Sequence, residues 1–213
     1  MTRALAAEAL GTLLLVATVI GSAIMAGQLT QDGGVLLLAN ALATGAALLA
    51  LITIFAPLSG AHFNPAVTLV MALRRQLTLP LALGYLVAQA LGGLAGVLLT
   101  HAMFDMALLQ LSTQARSGGH LFLAEVIATF GLVLIVLSPR CTPALVAAYI
   151  TAAYWFTAST SFANPVMDLA RALTDTPSGI RPSDAPAFLL AQLLGAALAA
   201  AIGGWMFKSD PGR

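Results

Sequence analysis

Six apolar segments, each close to membrane-spanning length, alternate with short connections along this chain. They fall at about 5–26, 34–56, 80–104, 120–138, 142–159 and 185–207. A transmembrane helix needs roughly 20 apolar residues to cross about 30 Å of hydrocarbon, so the pattern predicts six transmembrane helices in an all-α protein. The fifth segment has the least distinct boundary, because only Pro143 marks its start.

Two of the connections, residues 59–73 and 160–173, are too apolar to be simple loops. Each contains Asn-Pro followed by an apolar run, at Asn64 and at Asn164. Asn is a favoured helix N-cap and Pro suits the first helical position, so each pair predicts a helix start. At 1.5 Å per residue, the ten residues from each Asn to Leu73 or Leu173 span roughly 15 Å, half of the hydrocarbon thickness. The sequence therefore predicts two re-entrant half-helices.

The chain also repeats itself in the same order in its two halves. Residues 7–12 resemble 124–129, Asn64-Pro65 resembles Asn164-Pro165, and residues 88–92 resemble 191–195. Each half holds three spans, an odd number, so the second half must lie upside down relative to the first. We predict one membrane domain over 1–213, with a first repeat at about 4–106 and a second at about 118–207.

In an inverted repeat, one half-helix enters from each side and their N-termini meet near the membrane centre. Each N-terminus carries roughly half a positive charge, which repels cations and protons there. Each Asn caps its own helix and leaves amide hydrogens to donate to a passing oxygen. One Asn-Pro alone is usually an ordinary helix start, whereas two at equivalent positions favour a pore. The predicted pore-centre residues are Asn64, Pro65, Ala66, Asn164, Pro165 and Val166.

Composition supports a lipid environment and argues against several other classes. The 213 residues are 60% hydrophobic and only 8% charged, against about 25% in soluble domains. A formal net charge of +1 implies no nucleic-acid partner, and one cysteine excludes a cysteine-based metal cluster. We expect no metal and no cofactor.

The basic residues predict how the chain is oriented in the membrane. With the N-terminus in the cytoplasm, that side holds six Lys or Arg residues and the outer side three, which agrees with the positive-inside rule. The cytoplasmic set is Arg3, Arg74, Arg75, Arg140, Lys208 and Arg213. We therefore expect both termini on the cytoplasmic side of a bacterial inner membrane.

The first half resembles the aquaporins and glycerol facilitators, the major intrinsic proteins, in the motif Ser-Gly-Ala-His-Phe-Asn-Pro-Ala-Val-Thr at residues 59–68 and in Ala-Glu-x-x-Gly-Thr at 7–12. The resemblance covers essentially the whole chain. It implies six helices and two half-helices, a homotetramer with one pore per subunit, and passive passage of water and small neutral solutes. In this family, acidic residues such as Glu8 and Glu125 accept backbone N–H groups of the re-entrant loops, and Gln89, Gln192 and His62 are expected to support the same loops.

The second Asn-Pro motif departs from the family pattern. It continues with Val166 where the family has Ala, and then with Met167 where the family usually has Arg at the outer constriction. Methionine replaces a fixed charge and several donors with a flexible apolar thioether. The aspartate at the next position, Asp168, resembles the pattern of the glycerol-facilitator branch of the family.

The remaining filter positions implied by the resemblance carry small side chains. They are Thr44 on the second helix, Ala152 or Ala153 on the fifth, and Ser161 or Thr160 before the second motif. Such a filter is expected to be wider than a water-only filter and to admit glycerol-like polyols or neutral metalloid acids such as As(OH)3. The second motif and its flanks also resemble bacterial members associated with arsenic resistance.

Arg171 shares a helix face with Asn164 and Met167, at i+7 and i+4. It could line the outer mouth and partly replace the missing charge. The alternative, which we favour, is a structural ion pair with Asp168 or Asp175.

Two other functional classes fit the pattern less well. A secondary transporter can also use inverted repeats and broken helices, but it usually needs ionisable groups at the membrane midplane. Here Glu8 and Glu125 lie towards span ends. A membrane enzyme would need a catalytic constellation, which the sequence lacks. A passive channel is the interpretation we favour.

Overall fold

The computed structural model describes residues 1–208, which form eight α-helices and no strand. Arg213, which contributed to the predicted orientation, lies outside the described residues. The helices are α1 (Thr2–Leu29), α2 (Gly33–Ser59), α3 (Pro65–Leu73), α4 (Leu79–Met103), α5 (Gly119–Leu137), α6 (Pro143–Phe156), α7 (Pro165–Ala172) and α8 (Ala185–Met206).

Five of these helices, α1, α2, α4, α5 and α8, are long and apolar enough to cross a membrane. The sixth predicted span is α6, which begins at Pro143 as expected but has only 14 residues, roughly 21 Å. The predicted end at residue 159 is wrong. Thr157 is already extended, with φ −106° and ψ 134°, and its hydroxyl donates to the carbonyl of Ala153 at 2.7 Å. The chain then runs as irregular backbone towards α7.

The first and last long helices of each half pack against each other in the same way. The largest interfaces join α1 to α4 and to α2 in the first half, and α5 to α8 in the second. At the α1–α4 crossing, a Cβ on Gly92 would overlap the carbonyl oxygen of Ala9. At the α5–α8 crossing, a Cβ on Gly195 would overlap the carbonyl oxygen of Val126. The equivalent residues make the same close backbone approach, so the inverted-repeat fold predicted from the sequence is confirmed.

The half-helices α3 and α7 begin at the two Asn-Pro pairs. Asn64 and Asn164 are the N-caps, and each side-chain oxygen accepts a hydrogen bond from the backbone N–H two residues later, at 2.9 Å and 3.1 Å. With nine and eight residues, the helices are roughly 12–14 Å long. Helix α3 ends at Leu73 as predicted, and α7 ends one residue earlier than predicted, at Ala172 rather than Leu173.

The outer surface is apolar and the interior holds the polar side chains. On α4, the exposed residues include Leu83, Val87, Leu91 and Leu94, spaced three or four apart on one face. The buried residues of the same helix include Gln89, Thr100 and His101. This distribution suits a helix whose outer face contacts lipid and whose inner face contacts other buried polar side chains, as Gln89 contacts Glu8 and Thr68.

Candidate functional site

The N-termini of α3 and α7 meet and are joined by two reciprocal hydrogen bonds. The Asn64 amide nitrogen donates to the carbonyl of Ala163 at 2.7 Å, and the Asn164 amide nitrogen donates to the carbonyl of Phe63 at 2.8 Å. A side-chain amide has two hydrogens, so one on each Asn remains for another acceptor. The opposite loop thus holds one hydrogen of each amide group, and the prediction that each amide donates to a passing oxygen now concerns the other hydrogen.

The loop before each Asn contains left-handed residues that are not glycine. Ala61 and Phe63 have φ of 51° and 49°, and Ser161 and Ala163 have φ of 51° and 48°. Each such residue costs roughly 1–2 kcal/mol, so the surrounding structure must hold it in place. The same alternation of left-handed residues at 61–63 and 161–163 gives the two loops the same backbone conformation.

Glu8 holds the first loop. Its carboxylate is fully buried and accepts hydrogen bonds from the backbone N–H groups of His62 and Phe63 at 2.9 Å and 2.7 Å, and from the Ser59 hydroxyl at 2.6 Å. The Gln89 side chain donates to the same carboxylate at 2.8 Å. Three donors of the loop region therefore converge on one buried acceptor.

Glu125 holds the second loop in the same way. It accepts from the backbone N–H groups of Phe162 and Ala163, both at 2.9 Å, and from the Gln192 side chain at 2.8 Å. Gln192 also donates to Asp168 at 3.0 Å. Asp168 thus occupies the place that Thr68 has in the first half, where the Gln89 side chain donates to Thr68 at 2.9 Å.

His62 lies at the first loop and lines the cavity described below. Its Nδ1 is 3.0 Å from the Thr68 hydroxyl, and its ring meets Tyr85 edge-on at 5.3 Å between centroids. Within residues 1–208, no group of three His, Cys, Asp or Glu side chains is placed to hold a metal ion.

A cavity of about 400 Å³ passes both Asn residues. At one end it reaches Gln76 and Cys141, in the connections that follow α3 and α5, and at the other it reaches Arg171 near the end of α7. Because α3 and α7 run in opposite directions from the centre, these two ends face opposite sides of the membrane. The cavity has the position and extent of a solute path.

The wall that α6 contributes differs from the prediction. Val146, Ile150 and Tyr154, spaced four residues apart, line the cavity, whereas Ala152 is exposed and does not. Ala153 is fully buried but is not in the wall. The family resemblance implied Ala152 or Ala153 without fixing the register of α6, and the face of α6 that lines the cavity is one that neither residue occupies. The spacing of the three large side chains was the signal that could have identified Tyr154.

The other predicted filter residues line the cavity together. The Thr44 hydroxyl is 3.1 Å from the Tyr154 hydroxyl, and both residues are buried. Ser161 and Met167 also lie in the wall. The Ser161 hydroxyl oxygen is buried and has no hydrogen-bond partner within the described part of the chain. Three hydroxyl groups and one thioether therefore line the same cavity as Arg171.

Val166, which is larger than the family's alanine, packs against Gly93 of α4. A Cβ on Gly93 would lie 3.2 Å from Cγ1 of Val166, a tight but not overlapping contact. In the other half, the smaller Ala66 packs in one cluster with Ala196 of α8. The extra volume of Val166 is therefore accommodated by a missing side chain opposite, and α7 keeps its place.

Arg171 makes neither of the ion pairs that were considered for it. Its Nε donates to the carbonyl of Ser178, and its guanidinium lies over the Phe162 ring, 3.3 Å from the centroid. Asp168 instead accepts from Gln192. Asp175 accepts from the backbone N–H and hydroxyl of Thr113, both at 2.9 Å, and these donors hold the pKa of its carboxyl below the usual value. The favoured ion-pair interpretation is wrong, and Arg171 lines the cavity.

The fold and the cavity define a class of membrane proteins in which six helices and two half-helices surround one path per chain. Comparison with known proteins places the chain in the same class. The family model described as major intrinsic protein matches residues 1–144. An aquaglyceroporin, AqpS from Rhizobium meliloti (strain 1021), is 53% identical over 213 residues, covering 98% of this chain and 91% of its own length.

More distant relatives fit the same class. A probable aquaporin, PIP2-8 from Arabidopsis thaliana, is 41% identical over 146 residues, which are 64% of this chain and 51% of that protein. The X-ray structure of the aquaglyceroporin from Plasmodium falciparum matches with a TM-score of 0.76, covers 94% of both chains and is 21% identical, which shows the shared fold. The chain belongs to the major intrinsic protein family. Members of this family are membrane channels rather than enzymes, and this chain is a channel for water and small solutes.

Proposed function

We propose that the channel conducts small uncharged solutes down their gradients, namely glycerol-like polyols and neutral metalloid acids such as As(OH)3, together with water. The observation that carries the proposal is the wall at the Arg171 end of the cavity. There, Met167 stands three residues after Asn164, and the hydroxyl groups of Thr44, Tyr154 and Ser161 lie in the same wall. The relative named aquaglyceroporin, with its 53% identity, supports this solute class.

The wall combines two kinds of contact. Hydroxyl groups can both donate and accept, so they can replace the water that a polyol loses on entry. Met167 is apolar and flexible, so it can contact the carbon side of such a solute. As(OH)3 has three hydroxyl groups like glycerol and is uncharged, so it meets no charge-desolvation cost on entry. Tyr154 is much larger than the alanine predicted at this position of the wall. It therefore narrows the solute path and sets an upper limit on solute size.

Selectivity against protons and cations comes from the centre. Asn64 and Asn164 each keep one amide hydrogen for a passing oxygen, because the other is held by the opposite loop. A water or hydroxyl that accepts from both donors points its own hydrogens away from the centre, which interrupts proton transfer along a file of waters. The positive ends of the α3 and α7 dipoles add a repulsive potential for cations.

The same proposal covers the assembly and its place in the cell. We propose one channel domain with a first repeat at about 4–106 and a second at about 118–207, a homotetramer in the bacterial inner membrane, and both termini in the cytoplasm. Exposed leucines along α4 support contact with lipid or a neighbouring subunit. The six-to-three distribution of basic residues supports the orientation.

The test is solute entry into proteoliposomes. Vesicles containing the purified protein are shrunk in a hyperosmotic glycerol gradient, and light scattering follows re-swelling; arsenic content is measured separately after exposure to As(OH)3. The proposal predicts rapid re-swelling and arsenic uptake that are absent from empty vesicles and unchanged when a protonophore collapses any proton gradient. Fast water flux without glycerol or As(OH)3 entry would exclude the proposed solute class.

A further inference from the structure

Arg171 is a buried cation without an acidic partner. Its side chain is only 2% exposed, yet the salt bridge found among residues 1–208 is a different one, between Arg181 and Asp184. Buried charges in proteins are normally paired or fully hydrogen-bonded. In Arg171, Nε is used by the Ser178 carbonyl, and no hydrogen bond to the two terminal nitrogens occurs in the described part of the chain. Four N–H donors are therefore left for another acceptor.

The acids around Arg171 accept hydrogen bonds from other donors, although Oδ2 of Asp168 has no partner within residues 1–208. Glu125 accepts two backbone N–H groups and Gln192, and Asp168 accepts from Gln192. On the loops that pack over α7, Asp175 accepts from Thr113, and Asp184 accepts from Arg181 and from the backbone of Arg116. None of these carboxylates lies within 4 Å of the Arg171 guanidinium nitrogens.

A second cation, Arg116, lies at the same place. Its guanidinium is 5.2 Å from the centroid of the Phe162 ring, the ring that Arg171 covers at 3.3 Å. Arg116 donates through Nε to the carbonyl of Gly179 at 2.7 Å and through Nη2 to that of Pro177 at 3.2 Å. Arg171 holds the carbonyl between them, that of Ser178. Three successive carbonyls thus fix two guanidinium groups beside one aromatic ring.

The direction of the Arg171 side chain brings it back towards the filter. Helical side chains lean towards the N-terminus of their helix, so a long side chain at 171 extends alongside the turn that contains Met167. Both Arg171 and Phe162 line the cavity wall. Arg171 therefore lies in the cavity wall, where its free donors are within reach of a ligand in the cavity.

We propose that the outer end of the cavity binds a small oxyanion, with a carboxylate or phosphate group held by the terminal nitrogens of Arg171 and attracted by the charge of Arg116. A planar guanidinium donates two parallel hydrogen bonds to such a group, which gives it a preference for oxyanions over chloride. A bound oxyanion lies in the path and lowers the flux of neutral solutes. The binding site stands independently of the proposed solute class, whereas its effect on flux rests on that proposal.

Binding is tested by isothermal titration calorimetry on the purified protein in detergent, with inorganic phosphate and, separately, acetate at pH 7 and constant ionic strength. The inference predicts saturable binding with one site per chain. Arg171→Gln should weaken it about tenfold or more, because a charge-assisted bidentate contact is lost. The matched control is Arg181→Gln, which removes the same charge from a side chain that is 46% exposed and pairs with Asp184 on the same side, and it should leave binding unchanged.

Arg171→Lys keeps the charge but loses the fork, and it should give intermediate affinity. If Arg171→Gln fails to fold, the affinity of Arg171→Lys for phosphate still tests whether the guanidinium of Arg171 binds the oxyanion. Absence of saturable binding to the wild-type protein, equal binding by Arg171→Gln, or an equal response to sodium chloride would each overturn the inference.

The flux arm separates this inference from the proposed function. Glycerol re-swelling of proteoliposomes is measured with phosphate on both sides, and the inference predicts slower re-swelling that Arg171→Lys partly relieves. Glycerol flux with no oxyanion binding would overturn the binding site and leave the solute class intact. Saturable phosphate binding with no glycerol flux in any condition would leave the binding site intact and overturn the solute class.

Discussion

The side chain of Asn64 and the backbone of Ala163 are 99 positions apart in sequence and are joined by a 2.7 Å hydrogen bond. The bond is one of a reciprocal pair, since Asn164 makes the same contact with Phe63 at 2.8 Å. Each half-helix is therefore positioned by the loop of the other repeat. The two Asn residues act both as structural links between the halves and as donors to the path.

Asn164→Asp should disturb proton exclusion. A carboxylate cannot donate to the Phe63 carbonyl, and its charge offsets the positive potential of the facing half-helices. We expect measurable proton leak into proteoliposomes, followed with an entrapped pH dye. The matched control is Asn40→Asp. Asn40 is also buried and donates to the Val19 carbonyl at 2.8 Å, but it does not line the cavity. It should lose stability without proton leak, and equal leak in both variants would contradict the assignment.

Gly92→Ala should destabilise the α1–α4 interface. The new Cβ would overlap the carbonyl oxygen of Ala9, and two packed backbones cannot separate without loss of contact elsewhere. Overpacking of this kind costs about 1–3 kcal/mol. Thermal unfolding in detergent should show a clear fall in melting temperature. Gly33→Ala is the matched control, because nothing lies within 4 Å of a Cβ there. An unchanged melting temperature for Gly92→Ala would show that the helices do not cross at this point.

Glu125→Gln should loosen the second re-entrant loop. The amide retains one acceptor oxygen and places an NH2 group where the backbone N–H groups of Phe162 or Ala163 now donate. Leaving a buried donor without an acceptor costs about 1–3 kcal/mol. We expect lower stability in detergent and reduced solute flux. Asp32→Asn serves as the control, since Asp32 is an exposed N-cap of α2 and asparagine caps equally well. Equal effects of the two changes would argue against the bracing role of Glu125.

The sequence predicted the architecture because its signals are local and repeated. Six apolar runs, two Asn-Pro pairs and three matching segments define eight helices, and all eight are present. Boundaries were less certain where no capping residue marks them, as at Phe156, where α6 ends three residues before the predicted end.

The filter could be predicted only in part. Ser161 and Met167 lie three residues from Asn164 in sequence, and the family resemblance placed Thr44 on the second helix; all three line the cavity. The resemblance gave Ala152 or Ala153 on α6 because the rotation of that helix about its axis is not set by any local motif, and the structure places Tyr154 in the wall instead. The surroundings of Arg171 depend on the loop at 177–179, whose fold no local pattern indicates.

The measurement that tests the central claim most directly is the ratio of glycerol to water permeability in proteoliposomes, determined by stopped-flow light scattering for the wild-type protein, Met167→Arg and Ala152→Leu. If Met167 lies at the constriction of the solute path, a larger charged side chain there adds roughly 1–3 kcal/mol to the barrier for glycerol, about a five- to 160-fold loss. Water flux should persist, and Ala152→Leu, on an exposed face, should leave the ratio unchanged. An unchanged ratio in Met167→Arg, or a loss of glycerol flux in Ala152→Leu, would contradict the account.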